Sequence, residues 1–289
     1  MKKRRQIIRT LGQAVSRYSL FLLALIVCMP VLMTVLASLK SGWELSDHLL
    51  PILEENGEWV HWRILPVYPT LHHHMKLLFQ TPQFFTVFWN SVKIVGAILA
   101  GQILVAVPAG WALAKFSFRG KRILLLLYIV LMLMPFQVTM LPSYLVLDKL
   151  QMMNTQAAVI LPAIFSTFPV FIIYRGFTAI PKEMIEAAQI DGAGDYTIFF
   201  RIGIPLGIPG ILSALVLSFL EYWNMLEQPL AFIKEKSLWP LSLYLPEITT
   251  SDAGITLAAS VVALIPAFFV FKLGQDYMEQ GIIASGIKG

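Results

Sequence analysis

Charged side chains are scarce in this sequence. Asp, Glu, Lys and Arg together make up 13% of its 289 residues, whereas hydrophobic residues make up 57%. Soluble domains carry about 25% charged and about 45–50% apolar residues. Because so few charges could not cover the surface of a protein in water, the composition excludes an ordinary soluble protein and indicates a membrane protein.

Cysteine is nearly absent. The single Cys28 excludes an intrachain disulfide, and its position in an apolar stretch favours a packing role. The adjacent His72, His73 and His74 diverge around a helix, and no Cys or fixed Asp/Glu spacing completes a metal site nearby. The motifs H-E-x-x-H and G-x-S-x-G are missing. The sequence therefore predicts no metal, no cofactor and no catalytic residue.

A nucleotide-binding loop is also missing. The Walker A pattern needs Gly, four residues, and then Gly-Lys-Ser/Thr, so that backbone amides surround the phosphates. Gly120-Lys121 is the nearest match, but Lys115 stands where the first glycine is required, and Arg122 follows the lysine. Any energy from ATP must therefore come from another chain.

Uncharged stretches long enough to cross a bilayer are what the sequence has in quantity. A spanning helix needs about 20 mostly apolar residues, because a charge in hydrocarbon is costly. The sequence predicts an all-α membrane protein with six transmembrane helices. They cover Tyr18–Leu39, Ile94–Ala114, Ile123–Leu147, Leu150–Tyr174, Ile202–Leu220 and Ala253–Phe271.

The first of these stretches follows a basic N-terminus that includes Lys2, Lys3, Arg4 and Arg5. A cleaved signal peptide would have an apolar region of about 7–15 residues, whereas this one has about 20. We therefore interpret it as an uncleaved first transmembrane helix.

The basic residues predict the orientation, because Lys and Arg concentrate in cytoplasmic loops. With the N-terminus inside, the cytoplasmic segments hold 15 of the 22 basic residues and the outer segments hold seven. Both termini are then cytoplasmic, and the net charge of +5 reflects topology, with no nucleic-acid partner. The predicted organisation is a cytoplasmic segment 1–17, a first helix 18–39, an extracytoplasmic loop 40–85, and a five-helix core 86–289 that contains a cytoplasmic loop 175–209 and a cytoplasmic tail 272–289.

The outer loop 40–85 is the longest polar interruption. It mixes acidic residues with Trp43, Trp59 and Trp62, which are typical of the membrane interface. Two interpretations stay open: an ordered loop without a partner, and a docking surface for an external protein.

The cytoplasmic loop 175–209 alternates charged and apolar residues, which predicts short amphipathic helices outside the bilayer. Pro181 can occupy the first helical position and Gly192 can end the helix in the left-handed conformation, giving about eleven residues. Asp195 can then cap a second short helix, Tyr196 to Phe200, before Pro205 begins the return to the membrane.

This loop resembles the EAA loop of ABC importer permeases. That pattern is E-A-A, three residues, G, nine residues, and I-x-L-P. Here Glu186, Ala187 and Ala188 are followed by Asp191-Gly192 and, nine residues later, by Ile202-Gly203-Ile204-Pro205; Ile204 alone departs from the pattern. The stretches WALAKFSFRGKR, LPSYLVLDKLQMMNT and GIIASGIKG are similar to the shorter permease of the maltose-type, carbohydrate-uptake branch.

The resemblance implies a type I ABC importer permease in the cell inner membrane. It implies a coupling helix that docks into a cleft of a separate ATPase subunit. The implied partners are two ATPase subunits, a second permease subunit, and an extracytoplasmic solute-binding protein that delivers a sugar or oligosaccharide. The residues that it assigns to ATPase coupling are Glu186, Ala187, Ala188, Asp191, Gly192, Ile202 and Pro205. The alternatives are a permease for another polar solute, and an ion-coupled secondary transporter, which would want ionisable residues at the membrane midplane.

Polar and aromatic side chains meet at the outer end of the fifth predicted helix. Glu221, Tyr222 and Asn224 stand together there beside Trp223. An ionisable residue at such a place is a functional hypothesis, and sugar sites combine hydrogen-bonding groups with aromatic faces. We therefore take Glu221, Tyr222 and Asn224 as candidates for a substrate path, with an ordinary aromatic belt as the alternative.

Overall fold

The structure, a computed structural model, describes residues 2–53, 63–244 and 252–286. Over these ranges the regular elements are all helical. A π-helical turn covers Phe199–Gly203, and two 3₁₀ turns cover Lys236–Leu238 and Leu241–Leu243. The α-helices are α1 (Lys2–Ser38), α2 (Gly42–Leu53), α3 (His72–Gln80), α4 (Pro82–Lys115), α5 (Lys121–Leu133), α6 (Phe136–Lys149), α7 (Ala157–Ile164), α8 (Thr167–Thr178), α9 (Lys182–Ile190), α10 (Asp195–Ile198), α11 (Ile204–Trp223), α12 (Glu227–Phe232) and α13 (Ala253–Gly286).

Five helical segments are long and apolar enough to cross a membrane, and a sixth crossing is formed if the bent pair α5 and α6 is taken as one span. The prediction of an all-α, multi-span protein is confirmed. The five segments are Val15–Ser38, Pro82–Lys115, Ala157–Thr178, Asp195–Trp223 and Ala253–Glu279.

The third predicted span is not one straight helix. The helices α5 and α6 are bent by 101° at a break after Leu133, whereas the sequence predicted a continuous helix Ile123–Leu147. Pro135 explains the break, because it has no N–H to continue the helix and its ring would clash with the preceding turn. Its backbone is extended, with φ −67° and ψ 150°.

The fourth span begins later than predicted. Residues Leu150 to Gln156 form a turn, in which Gln151 and Asn154 have positive φ angles of 56° and 59°. The Asn154 side chain fixes this turn, because its Oδ1 accepts hydrogen bonds from the backbone N–H groups of Lys234 and Glu235 at 2.9 and 2.8 Å. These partners lie about 80 residues away in the chain, so a count of uncharged residues could not reveal the turn.

The backbone contacts divide the chain into two units, of which the first holds the described residues up to Thr81 and those from 252 to 263. In this unit the apolar stretch of α1 has no buried residue in its most hydrophobic window. The segment after α1 is tied back to it by a hydrogen bond from Thr70 N–H to the carbonyl of Leu39, at 2.8 Å. The His73 side chain is buried, and its ring lies where a side chain on Gly254 would have to go.

Glu44 organises the segment between α1 and α3. It is 3% exposed; one carboxylate oxygen accepts the Val67 N–H at 2.7 Å, and the other accepts the N–H and hydroxyl of Ser41. Burial raises the pKa of this carboxyl, but the hydrogen bonds from Val67 and Ser41 outweigh burial, so the pKa lies below its ordinary value. Beside it, the buried Lys40 ammonium is 3.0 Å from His48 Nδ1.

The second unit holds residues 82–244 and 264–286, and α8 is its central helix, packed on α4 and α11. Where α8 and α11 cross, their backbones meet at Gly176 and Gly210 without a side chain between them. A Cβ atom on Gly176 would lie 2.9 Å from the Cα of Gly210, and a Cβ atom on Gly210 would lie 2.8 Å from the Cα of Gly176. Glycine is required here because the two backbones touch. In α4, Gly101 lies against the Ile164 side chain and Gly110 against Ile173, whereas Gly96 has nothing within 4 Å.

We expect Gly176→Val to lower the thermal stability of the protein strongly, because the valine would force α8 and α11 apart. Overpacking of this kind costs about 1–3 kcal/mol or more. The matched control is Gly96→Val, which adds the same atoms to a helical glycine with nothing within 4 Å. The measurement is the melting temperature of each protein in detergent, and equal values for the two variants would contradict the glycine contact.

We also expect Glu44→Gln to speed hydrogen exchange at the Val67 amide by about tenfold, since a hydrogen bond to a charged group contributes about 1.5–3 kcal/mol. The folded pKa lies below the unfolded one, so the stabilisation is present above the unfolded pKa and is lost as the pH falls through the folded pKa.

The measurement is exchange by mass spectrometry in nanodiscs, with wild type and variant compared at each pH. Their difference should vanish in acid. Asp47→Asn, which removes an exposed carboxylate three residues away, is the control. Equal exchange in Glu44→Gln and wild type at neutral pH would show that the carboxylate does not hold this segment.

Candidate functional site

The loop with the EAA-type pattern begins with α9. This helix has nine residues, Lys182–Ile190, and Pro181 precedes it as the N-cap with φ −57° and ψ 139°. The predicted helix of about eleven residues with Pro181 in its first turn was therefore slightly too long. The chain is still extended at Pro181, so the helical dihedral angles start one residue later.

Gly192 ends α9 as predicted, with a left-handed φ of +82°. Its N–H donates to the carbonyl of Gln189 at 3.0 Å, and the N–H of Ala193 donates to the carbonyl of Ala188 at 2.9 Å. This pair of bonds is the Schellman motif, in which the residue at the Gly192 position must adopt the left-handed conformation. The turn therefore needs glycine, or a residue such as Asn that tolerates this region.

One side of α9 packs on the rest of the second unit, and the other side is exposed within the part of the chain that the structure describes. Ile185 and Ala188 contact the core cluster around Trp111. Glu186 and Ala187 are exposed, and Ile190 is 85% exposed. Ala188 is half-buried while Ala187 is exposed, because neighbouring residues point about 100° apart around a helix.

Asp195 does not cap a separate short helix. It is the first residue of α10, whose N-cap is Gly194, and α10 continues through the π-helical turn Phe199–Gly203 into α11. The fifth span therefore begins at Asp195, whereas the sequence predicted Ile202. Pro205 lies just after the π turn and has no N–H group. The wider hydrogen-bonding pattern of the π turn allows the helix to continue through this position without that donor. Asp191 is exposed beside Gly192.

Trp111, on the last turns of α4, holds both ends of the EAA-type loop. Its ring centre lies 5.2 Å from that of Phe177 and 5.6 Å from that of Phe199. Gly203 lies against the same ring, and a Cβ atom there would be 2.6 Å from it. Ile202 packs on this cluster, while Pro205 is exposed.

Lys115 completes this connection. Its ammonium donates to the carbonyl of Ile180 at 3.0 Å and lies 5.8 Å from the centre of the Trp111 ring. The end of α4 is thereby bonded to the chain immediately before α9. The sequence interpretation assigned the stretch after Gly110 only to topology and resemblance; the spacing of Trp111 and Lys115, four residues apart on one helix face, was the signal that it did not use.

A second feature is a cavity of about 430 Å³ in the same unit. Three helix interruptions surround it: the bend between α5 and α6, the break between α7 and α8, and the end of α11. Its lining includes Phe136, Ser166 and Tyr222, one from each place. Non-helical backbone at membrane depth is tolerated only where protein or a water-filled cavity receives its polar groups.

Two of the three candidates for a substrate path line this cavity. Glu221 and Tyr222 face it, together with Gln228, which the sequence interpretation did not single out. Asn224 does not line it; its amide donates to the carbonyl of Leu220 at 2.9 Å, where α11 ends.

Other polar residues near the spans connect structural elements. Gln137 donates to the Glu227 carboxylate at 2.7 Å and so joins α6 to α12. Asn90 donates to the carbonyls of Ser237 and Trp239, at 2.7 and 3.1 Å, which holds the 3₁₀ turns on α4. Asn90 thereby satisfies two backbone carbonyls of the non-helical segment, whereas Gln137 joins two helices through a side chain.

Comparison with known proteins agrees with this architecture. The chain is 32% identical over 270 residues to the arabinooligosaccharides transport system permease protein AraQ of Halalkalibacterium halodurans, covering 92% of this chain and 93% of that protein. It is 27% identical to the diacetylchitobiose uptake system permease protein NgcG of Streptomyces coelicolor, over 91% of this chain and 84% of that one.

The fold is similar to that of a chain in the crystal structure of a bacterial ABC transporter involved in the import of the acidic polysaccharide alginate. The TM-score is 0.74 at 20% identity, over 92% of this chain and 96% of that chain. Residues 106–284 match the family described as binding-protein-dependent transport system inner membrane component. With α9 and the cavity both inside the matched region, the chain belongs to this family of multi-pass inner-membrane transport subunits.

Proposed function

We propose that this chain is the permease subunit of an ATP-driven importer that takes up sugars or oligosaccharides delivered by an external binding protein. The observation that carries the proposal is α9, a short helix that is closed by Gly192, exposes Glu186 and Ala187, and is bonded to the ends of the spans. The substrate class is supported by the named substrates of the two relatives, which are an arabinooligosaccharide and diacetylchitobiose.

The proposed assembly contains two ATPase subunits, a second permease subunit and an extracytoplasmic solute-binding protein. The ATPase is a separate chain, since this sequence has no Walker A loop. On its exposed side α9 offers a carboxylate, Glu186, beside a small residue, Ala187. A groove on the ATPase could approach this side closely and pair a basic group with the carboxylate.

The force would pass from α9 into the bundle through two contacts. The Lys115 ammonium holds the carbonyl of Ile180 before the helix, and the Trp111 ring packs on Phe199 and Gly203 after it. Both contacts end on α4. A rigid displacement of α9 by ATP-driven closure would therefore move α4 and α11 together and rock the bundle between inward- and outward-facing states.

The topology in this proposal has both termini and the loop 179–194 in the cytoplasm, with the segment 39–81 outside. It is supported by the distribution of basic residues, 15 inside against seven outside. The bonded segment around Glu44 would then form an ordered outer surface near the binding protein. The proposed path for the solute runs through the cavity that Glu221 and Tyr222 line.

Uptake into proteoliposomes that contain the full complex tests the class of transporter. We expect uptake to require ATP and the binding protein and to persist when an ionophore removes ion gradients. Uptake that is abolished by the ionophore would favour the secondary transporter. ATP-dependent uptake restricted to a peptide or polyol would keep the ABC importer but replace the sugar.

Gly192→Val should reduce the solute transported per ATP hydrolysed by about tenfold or weaken copurification of the ATPase. A β-branched residue in the left-handed region costs about 1–3 kcal/mol, enough to shift the turn that positions α9. Gly192→Asn is the matched variant, because Asn tolerates a positive φ, and it should retain most of the coupling. The measurements are ATPase rate, uptake and subunit stoichiometry on the same samples. Wild-type coupling in Gly192→Val would contradict the role of this turn.

A further inference from the structure

The charge of the cavity is one-sided. Among the described residues that line it, Glu221 is the only charged one, and neither Lys nor Arg is present. The other polar groups include the hydroxyls of Thr139, Ser143 and Tyr222 and the amide of Gln228. The cavity therefore offers neutral hydrogen-bonding groups and one carboxylate, and no cation.

The lining of the cavity also contains aromatic rings. Phe136 and Phe232 pack edge to face with their ring centres 5.9 Å apart, and both line the cavity. Phe165 and Phe168 line it from the break between α7 and α8. Apolar rings together with a few placed polar groups suit a sugar ring, which has apolar C–H faces and hydroxyl edges. The volume of about 430 Å³ lies within the usual range of small-molecule sites, about 300–1,000 Å³.

An acidic sugar would meet no compensating charge here. Its carboxylate would have to leave water for a site between membrane helices, where an unpaired charge is costly. If Glu221 is ionised, it repels the incoming carboxylate as well; if it is protonated, it still supplies no cation. A neutral sugar can instead donate its hydroxyl protons to the Glu221 carboxylate, in a charge-assisted hydrogen bond.

The fold does not set this preference. The alginate importer with the same fold is named for an acidic polysaccharide, and it shares 20% of its residues with this chain. A preference for the charge of the solute must therefore come from particular side chains, and Glu221 is the one charged residue among the described residues that line this cavity.

We infer that the cavity lined by Glu221 selects uncharged or cationic saccharides and rejects those that carry a carboxylate. This inference rests on the proposed function and deepens it, because it assigns to Glu221 a role in the charge specificity of the permease itself. Selection of this kind would operate after the binding protein has released its solute.

The test uses the full complex in proteoliposomes with saturating binding protein. The substrates are arabinotriose, its reducing-end aldonate and its reductively aminated derivative. We expect wild type to take up arabinotriose at least about tenfold faster than the aldonate, which is the factor that about 1.4 kcal/mol of discrimination gives. Glu221→Lys should raise the aldonate-to-neutral ratio by about tenfold or more and lower the amine-to-neutral ratio.

Each uptake ratio is compared between variant and wild type. The binding protein is the same in every sample, so its own selectivity cancels in this comparison. Glu221→Gln, which keeps the shape of the side chain but removes its negative charge, should lower the amine-to-neutral ratio relative to wild type even if the lysine variant does not assemble. Asn224→Lys is the matched control: it adds a cation three residues away, outside the cavity lining, and should leave both ratios unchanged.

The results separate this inference from the proposed function. ATP-dependent uptake with the same substrate ratios in wild type, Glu221→Lys and Glu221→Gln would overturn the role of Glu221 and leave the importer intact. An equal change of the uptake ratios in Glu221→Lys and Asn224→Lys would also overturn it. A cation outside the cavity lining would then have the same effect as one inside it. Loss of ATP-dependent uptake in wild type would overturn the importer itself.

Discussion

A helix that ends inside a membrane must transfer its free N–H and C=O groups to protein or to enclosed water, because lipid offers no hydrogen bonds. This constraint explains where the irregular backbone of the second unit lies. The interruptions at Pro135, at Phe165–Ser166 and after Trp223 surround one cavity. The adjoining connections are held by side chains: Asn154 binds two backbone amides, and Asn90 binds two carbonyls. The polar side chains near the cavity are thus explained by the broken helices, which leave backbone groups that need hydrogen-bond partners.

The EAA-type loop and the cavity share two helices, α8 and α11. The end of α4 holds the loop through Trp111 and Lys115, α8 lies at the centre of the unit and lines the cavity at its start, and α11 runs from the π turn to Glu221. The loop is thus joined to two of the helices that carry the cavity lining. Such an arrangement suits a subunit that performs no chemistry and that converts the motion of a partner into access for a solute.

Much of the fold could be predicted from the sequence, because the cost of burying charge marks the spans without reference to any contact. The same method could not see Pro135 as a break, since proline carries no charge. It also placed Leu150 at the start of a span, because Gln151 and Asn154 are uncharged; their turn is fixed by backbone groups at Lys234 and Glu235, far along the chain. Sequence patterns report on interactions between residues that are close in the chain. The partners of Asn154 are brought to it only by the tertiary structure.

The site was predictable where it is local. Gly192 follows a short amphipathic segment, and its left-handed conformation needs nothing beyond that segment. The inward position of Ala188 and the helical position of Asp195 depend on the core around Trp111 and on the π turn before Pro205, neither of which a linear pattern contains. Gln228 was missed for a similar reason, since only the break at the end of α11 brings it beside Glu221.

The contact of Gly176 with Gly210 gives α11 the geometry of a lever. The two backbones meet there without a side chain between them, while the Phe177 ring packs on Gly207 one turn away. Gly210 lies about 10 Å along the axis from Gly203 and about 16 Å from Glu221, at 1.5 Å per residue. If α11 turned as a rigid rod about this crossing, a sideways shift at the Trp111 cluster would be enlarged about one and a half times at the cavity, in the opposite direction.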